Sequence, residues 1–197
     1  ERSPVDNAQR YFKRYEDAKR AMQGAPQRLA QVRRALARLE QWATDLELAE
    51  NRGEIEEVRS LLAQAGYLRR ARAARVQATG PRRLETDEGF VLLVGRNSRQ
   101  NQTVLEHAAP GDLWLHARGV PGGHVILVTG GRPVPESLLM RAAALAAHYS
   151  AARQEVRVAV DITERRHVRP IAGAGPGQVT YRQERTVDVA PSPWRLP

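Results

Sequence analysis

In the first third of the chain, apolar residues recur at alternating spacings of three and four, the heptad pattern of a coiled-coil helix. This apolar seam consists of Leu29, Val32, Leu36, Leu39, Ala43 and Leu46. Upstream, positions 10–19 mix aromatic and basic side chains and are also compatible with a helix. Gly24 and Pro26 predict a break between the two stretches, because proline removes a helical hydrogen bond.

A second, shorter helix is predicted after Asn51-Arg52-Gly53, which is expected to end the first one. Its apolar face comprises Ile55, Val58, Leu62 and Ala65, and Gly66 is expected to end it. A heptad seam needs a second helix to bury it. Three sources are open: an upstream part of a longer protein, another copy of the chain, or residues 54–65 folded back. We expect the chain to self-associate through the seam, at Leu29, Leu36, Leu39 and Leu46.

From residue 84 onward the pattern changes to short apolar or alternating runs separated by turn residues, which predicts strands. Strands are expected at residues 89–94, 112–117, 124–129, 156–163, 178–181 and 186–189. Helices are expected from Thr103 to Ala109 and, alanine-rich, from Pro135 to about Arg153. The predicted fold is α+β: a helical coiled-coil arm (1–68), an arginine-rich linker (69–83) and a compact mixed-sheet domain packed against the alanine-rich helix (84–197).

The charge of the chain favours a polyanionic partner. Its formal net charge is +9, and Lys13 and Lys19 are its only lysines, so the cations are almost all arginine. Guanidinium groups bind phosphate in a bidentate manner and stack on bases. A GC-rich genome explains the arginine-to-lysine ratio but not the net charge. The absence of cysteine and of a long apolar run favours a reduced, cytoplasmic setting without membrane contact. The start, Glu1-Arg2-Ser3-Pro4, is expected to be a fragment edge and not a signal peptide.

Two segments before and after the first strand are rich in hydrogen-bond donors. The predicted linker contains Arg69, Arg70 and Arg72 and is either a solvated connector or a phosphate-contacting patch. The stretch Gly95–Asn101, here named the GRN loop, offers donors to phosphates or base edges. Its candidate RNA-binding side chains are Arg96, Asn97, Arg99, Gln100 and Asn101. The alternative is a polar loop whose amides cap the next helix, a role expected for Asn101.

A strand with an acid, an indole and an imidazole on one face provides the other candidate site. Asp112, Trp114 and His116 alternate with Leu113 and Leu115, so they share a face. Such a face stacks a base and bonds its edge. Alternatively, Trp114 is buried under the domain's own helix, and Asp112 and His116 are bonded to each other. His124 follows the turn Pro121-Gly122-Gly123 and is a further candidate RNA-binding residue.

Catalysis is not expected. The sequence shows no HExxH motif, no zinc-like spacing, no nucleophile elbow and no convincing carboxylate pair. Asp112, His116 and His124 therefore predict no metal site, and no cofactor is expected. Asp161 is expected to pair with an arginine.

These segments, taken together, resemble the NFACT family, which includes bacterial RqcH, also named fibronectin-binding protein A, and eukaryotic NEMF. The resemblance rests on the GRN loop, the Asp-Trp-His strand, the PGGHV turn, the alanine-rich helix, and the HVRP and GAGPGQVTY segments, all in the family's order. They correspond to the family's NFACT-R domain, and NAQRYFKRYEDAKRA corresponds to its coiled-coil arm. The chain departs from the pattern at Gln102, usually aspartate, at Gly123, usually serine, and at Pro170, often Lys or Arg.

The resemblance implies a ribosome-associated quality-control factor that acts by binding. Family members bind obstructed large ribosomal subunits, recruit tRNA and support template-independent alanine tailing of the stalled chain. The large ribosomal subunit and tRNA are thus the expected partners. Two alternatives belong to other classes: a fibronectin-binding surface adhesin, and a tRNA-processing enzyme with a base at His116 or His124.

Overall fold

The computed structural model describes residues 3–69 and 79–194. The chain forms two compact units, Glu1–Arg38 and Leu39–Pro197. The second unit thus begins inside the first helix, whereas the sequence places the end of the arm at residue 68. The reason is local packing, because Trp42 near the end of that helix is buried against Val58 and Leu61.

The described residues form four α-helices and eight β-strands. The helices are α1 (Pro4–Glu47), α2 (Arg52–Gln64), α3 (Ser98–His107) and α4 (Glu136–His148). The strands are β1 (Arg82–Glu85), β2 (Val91–Gly95), β3 (Leu113–Ala117), β4 (His124–Val128), β5 (Val158–Glu164), β6 (Arg169–Pro170), β7 (Val179–Thr180) and β8 (Arg185–Val189).

Helix α1 begins with a capping arrangement that its sequence encodes. The Ser3 hydroxyl accepts a hydrogen bond from the Asp6 backbone N–H at 3.1 Å, and Pro4 occupies the first helical position. The helix then continues through Pro26, so the predicted break at Gly24 and Pro26 was wrong. Proline removes a single backbone donor, and the alanine, glutamine, arginine and leucine residues around it are good helix formers.

Helix α2 folds back beside the last turns of α1. The Asn51 side chain caps it by accepting from the Glu54 N–H at 3.1 Å, and Gly66 ends it with a φ of +84°. The two segments bury Trp42, Val58 and Leu61. In the first unit, Leu29 and Leu36 remain 50% and 53% exposed.

The α+β prediction is confirmed, and all the paired strands of the sheet are antiparallel. Six strands pair in the order β1-β2-β4-β3-β5-β8, and β6 and β7 form a separate two-stranded sheet. Helix α4 covers one face, where Leu92, Leu115 and Leu127 are buried. Helix α3 covers the other face, where Trp114 and Ile126 are buried. Apolar residues therefore alternate between two covered faces.

Three predicted boundaries change in the structure. Arg82 and Arg83 belong to β1, where they pair with Val94 and Leu93, so the predicted linker ends earlier than residue 83. Helix α3 begins at Ser98 and not at Thr103, because Asn97 caps it. Helix α4 has Pro135 as its N-cap and ends at His148, before the predicted end near Arg153. None of the helices described is long and apolar enough to cross a membrane.

Candidate nucleic-acid interface

The polar side chains of the GRN loop mostly bond to the protein itself. The Asn97 carboxamide oxygen accepts from the Gln100 backbone N–H at 3.0 Å and caps α3. The Gln100 side-chain oxygen accepts from the Arg96 N–H at 3.1 Å. Asn97, Gln100 and Asn101 are buried. The next helix is thus capped by Asn97 and not by Asn101 as expected, whereas the RNA-binding role of these amides stays a prediction.

Asn101 joins the GRN loop to two glycine-bearing turns. Its amide donates to the Gly122 carbonyl at 3.0 Å, and its oxygen accepts from the His124 N–H at 2.8 Å. A Cβ at Gly95 would lie 2.5 Å from the Asn101 Oδ1, and a Cβ at Gly177 would lie 2.8 Å from the Asn101 Cβ. The glycines therefore allow the close approach of the chain's own atoms.

Four carboxylates of the helical segment 39–64 face the GRN loop and are named here the acid cluster: Asp45, Glu50, Glu54 and Glu57. Asp45 accepts from the Ser98 backbone N–H at 3.0 Å and from its hydroxyl at 2.8 Å. Glu57 accepts from the Asn97 amide at 2.6 Å. Burial raises the pKa of Asp45 to about 6, although hydrogen bonds from Gln41 and Ser98 oppose that rise.

Both loop arginines face the helical segment. The buried Arg96 guanidinium pairs with Glu50 at 2.6 Å and forms a second, close ion pair with the buried Glu54. Arg99 is half-buried, and its guanidinium lies 3.4 Å from the Ser60 hydroxyl. A phosphate would have to displace these carboxylates to reach Arg96, so the Arg96 guanidinium is not free to bind a phosphate.

The Asp-Trp-His face is covered by α3. Trp114 is 0% exposed and packs with Val104 and Leu105 of that helix. Asp112 is buried too, and its carboxylate accepts from the Ala109 N–H at 2.8 Å and the Thr129 N–H at 2.9 Å. The prediction that Trp114 is buried under a helix of the domain is thus confirmed, but Asp112 bonds to these backbone N–H groups and not to His116 as expected. Asp112 stabilises two turns.

The two histidines next to Trp114 are held in their neutral form. The His116 ring stacks on Trp114 with centroids 5.4 Å apart, and the His124 ring meets Trp114 edge-on at 5.3 Å. Desolvation lowers the pKa of His116 to about 4 against the opposing charge of Asp161, and it lowers the pKa of His124 well below its usual range. Neither imidazole therefore carries a charge for phosphate binding at neutral pH.

Tyr181 connects this aromatic cluster to the surface. Its hydroxyl donates to Asp161 at 2.7 Å, and its ring centroid lies 4.7 Å from that of Trp114. Asp161 is fully buried and pairs with Arg118 at 3.4 Å, which confirms the expected arginine partner. Burial and the Asp161 carboxylate raise the pKa of Tyr181. The phenol ring is thus fixed at both ends.

A groove of about 330 Å³ opens beside Tyr181 and is named here the basic groove. It is lined by Arg166, His167, Arg169, Thr180, Tyr181 and Arg182. Arg166 pairs with Glu164 at 2.5 Å. Within the part of the chain that the structure describes, Arg169 and Arg182 have no carboxylate partner. Desolvation and the nearby Arg169 charge lower the pKa of Arg165.

The basic groove was not predicted as a site from the sequence. The run Arg165-Arg166-His167-Val168-Arg169 was a usable signal, because it concentrates cations in five positions. Of the linker candidates, Arg69 is exposed, while Arg70 and Arg72 lie outside the described residues. Within residues 3–69 and 79–194, no group of three or more histidine or carboxylate side chains is arranged to hold a metal ion.

Comparison with known proteins places these features in a family. Residues 1–79 match the NFACT N-terminal and middle domains, and residues 81–183, more than half of the chain, match the NFACT protein RNA binding domain. Two relatives are named Rqc2 homolog RqcH. The one from Streptococcus suis is 36% identical to this chain over 193 residues, and the one from Bacillus subtilis is 36% identical over 196 residues. Those alignments cover 96% of this chain but 35% and 34% of the relatives, so the chain spans about a third of their length.

A solved structure agrees with the sequence matches. It is described as the C-terminal of the fibronectin/fibrinogen-binding protein from Streptococcus suis, and it superposes with a TM-score of 0.84 at 34% identity. The match covers 97% of this chain and 77% of that one. The fold is therefore shared over nearly the whole chain.

Proposed function

Because this chain belongs to the NFACT family of RNA-binding domains, we propose that it is the RNA- and ribosome-binding portion of a ribosome-associated quality-control factor. Its partners in this proposal are the obstructed large ribosomal subunit and tRNA. The parent protein supports template-independent alanine tailing of the stalled nascent chain in the cytoplasm. This portion contributes by binding, and peptide-bond formation is the ribosome's own reaction.

The basic groove is the observation that carries the proposal. It lies within the residues that match the RNA-binding domain, and two of its guanidinium groups, those of Arg169 and Arg182, have no carboxylate partner among the described residues. An exposed arginine without an internal anion keeps its full capacity to bind phosphate, and phosphate contacts supply a large share of the affinity for RNA. Arg96 lacks this capacity, because Glu50 and Glu54 already occupy it.

A salt series tests the proposal with the chain itself. Binding to purified large ribosomal subunits and to tRNA is measured from low to high salt for the wild type and for the double variant Arg169→Ala/Arg182→Ala. Each phosphate contact contributes about 0.7 to 0.9 to the slope of log K against log salt. The double variant is therefore expected to lower the slope by about 1.5 and to weaken binding to both RNAs.

Arg157→Ala is the matched control, since Arg157 is exposed and precedes the opposite end of β5 from the groove. It is expected to leave both affinities within about twofold. A loss of log K in the control that is half the loss in the double variant, and so equal per charge removed, would show that net charge alone binds RNA, without a groove.

A second candidate function follows from the name of the structural relative, a fibronectin/fibrinogen-binding protein. Immobilised fibronectin and fibrinogen belong in the same experiment. Saturable binding to either protein that survives Arg169→Ala/Arg182→Ala, together with no binding to RNA, would favour adhesion over RNA binding.

A further inference from the structure

The geometry points to a narrower ligand for the basic groove. We propose that it takes one unpaired nucleotide of an RNA strand, with the base stacked on Tyr181 and the flanking phosphates on Arg169 and Arg182. This inference rests on the proposed RNA-binding function and specifies which part of an RNA the groove recognises.

Tyr181 is arranged as a stacking platform. Its hydroxyl is anchored on Asp161, which also accepts from the Thr186 hydroxyl at 2.6 Å. One side of the ring packs toward Trp114, while the residue remains half-buried and lines the groove. A ring that is already fixed loses little conformational entropy when a base stacks on it.

The cations lie where the phosphates on either side of such a base would pass. Arg169 of β6 is paired in register with Thr180 of β7, the residue before Tyr181. Arg182 follows Tyr181 directly. The aromatic ring is therefore flanked along the chain and across the strand pair by the two arginines. Aromatic platforms combined with a cationic backbone track are the usual basis of single-strand binding.

The size of the groove favours an unpaired nucleotide over a duplex. A volume of about 330 Å³ is at the lower end of small-ligand sites, which span roughly 300 to 1,000 Å³. In an A-form duplex the base faces are stacked on one another and are not accessible to a tyrosine ring. Only a nucleotide turned out of a loop, bulge or single-stranded end presents both a base face and its phosphates.

Binding to defined RNAs tests this inference. The probes are a ten-nucleotide single-stranded oligoadenylate, an RNA duplex of the same length and inorganic polyphosphate. Tyr181→Leu keeps an apolar side chain but removes the ring, so its affinity for the single strand is expected to fall about 5- to 100-fold. Its affinities for the duplex and for polyphosphate are expected to stay within about threefold, because they depend on charge.

Two further variants separate stacking from folding. Tyr181→Phe keeps the ring and loses only the bond to Asp161, so it should bind the single strand within about threefold of wild type. Tyr67→Leu removes a half-exposed tyrosine that packs on Trp42 at another surface, and it should have no effect. Should Tyr181→Leu fail to fold, photo-crosslinking of 5-iodouracil-labelled single-stranded RNA to the wild-type chain gives the same information. The crosslink is expected at Tyr181.

The outcomes distinguish this inference from the function on which it rests. If Tyr181→Leu binds the single strand as wild type does, or the crosslink maps elsewhere, while Arg169→Ala/Arg182→Ala still weakens binding, stacking is wrong and RNA binding stands. If neither the single strand, the duplex nor tRNA binds the wild type at low salt, the RNA-binding function itself is wrong.

Discussion

The carboxylate of Asp45 accepts both the backbone N–H and the hydroxyl of Ser98, at 3.0 and 2.8 Å, across 53 positions of sequence. Asp45 lies in the last turns of α1, and Ser98 is the first residue of α3. A carboxylate at a helix N-terminus is stabilised by the free N–H groups and by the helix dipole. The pair therefore joins the helical segment 39–64 to the sheet domain through α3.

Asp45 makes the stability of the chain depend on pH in an unusual direction. Its folded-state pKa of about 6 lies above the ordinary 3.8, so the folded state retains the proton over a range in which the unfolded state has lost it. Its stabilising contribution is present below pH 3.8 and is lost as the pH rises toward 6. Relative to Asp45→Asn, the wild type should lose about 2 kcal/mol of unfolding free energy between about pH 4.5 and 7.

Urea denaturation of both proteins at several pH values measures this difference. Asp45→Asn is itself the reference, since it shares every other titrating group, including His116 and His124. A difference between the two proteins that stays constant from about pH 4.5 to 7 would show that Asp45 is not protonated in the folded state above its ordinary range.

Arg96 is predicted to matter for stability and not directly for RNA. Arg96→Ala leaves the buried Glu54 without its ion-pair partner, so the unfolding free energy should fall by about 3 to 5 kcal/mol. Arg185→Ala is the control, because that arginine pairs with Glu136 at an exposed site and should leave the unfolding free energy nearly unchanged. If instead Arg96→Ala is as stable as wild type and lowers the slope of log K against log salt for tRNA, Arg96 contacts RNA and the GRN loop is part of the RNA interface.

The contrast between Arg96 and Trp114 shows what a sequence predicts well. The alternation of Trp114 with Leu115 placed them on opposite faces of a strand, and the structure confirms it. A strand covered on both faces shows the same alternation of residue types as a strand with one exposed face, if its second covered face carries a tryptophan and histidines. The pattern therefore predicted the strand but not which face is free.

The partners of Arg96 could not be predicted for a different reason. Glu50 lies 46 positions away, and carboxylates on a predicted helix indicate a solvated face unless the tertiary fold brings them to a buried cation. The basic groove likewise depends on the pairing of β6 with β7, and although a strand was predicted at 178–181, β6 has two residues and is too short for a periodic signal. Local patterns predicted most of the elements but not β1 or β6, and long-range pairing determined the candidate site.

Gly95 is predicted to tolerate no side chain. A Cβ there would lie 2.5 to 2.8 Å from three atoms of Asn101, two of them backbone, so Gly95→Ala must displace the start of α3. Overpacking of this kind costs about 1 to 3 kcal/mol, and the displaced Asn101 amide would add to it. Gly111→Ala is the matched control because nothing lies within 4 Å of its Cβ position. Equal thermal midpoints for both variants would contradict the close packing at Asn101.

We still predict that the chain self-associates, because the apolar seam is exposed in the first unit. Leu29 and Leu36 are 50% and 53% exposed on one helix, and such a heptad stripe favours burial against another helix. Sedimentation is expected to show oligomers of the wild type at high concentration and a monomer for Leu29→Gln/Leu36→Gln. Arg33→Gln is the control for a change on the charged face and should leave the oligomers intact. A wild type that stays monomeric would refute self-association.

Two substitutions of Trp114 distinguish a role in the core from a role in stacking on an RNA base. Trp114→Ala opens a cavity beneath α3 and should cost about 3 to 5 kcal/mol of unfolding free energy. Trp114→Phe keeps an aromatic ring against Val104 and Tyr181, so it should fold with a smaller loss and bind single-stranded RNA as tightly as wild type. Denaturation and RNA titration of the same samples measure both quantities. Because Trp114 is fully buried beneath α3, a Trp114→Phe protein of near wild-type stability that loses RNA affinity would mean that α3 moves aside for RNA.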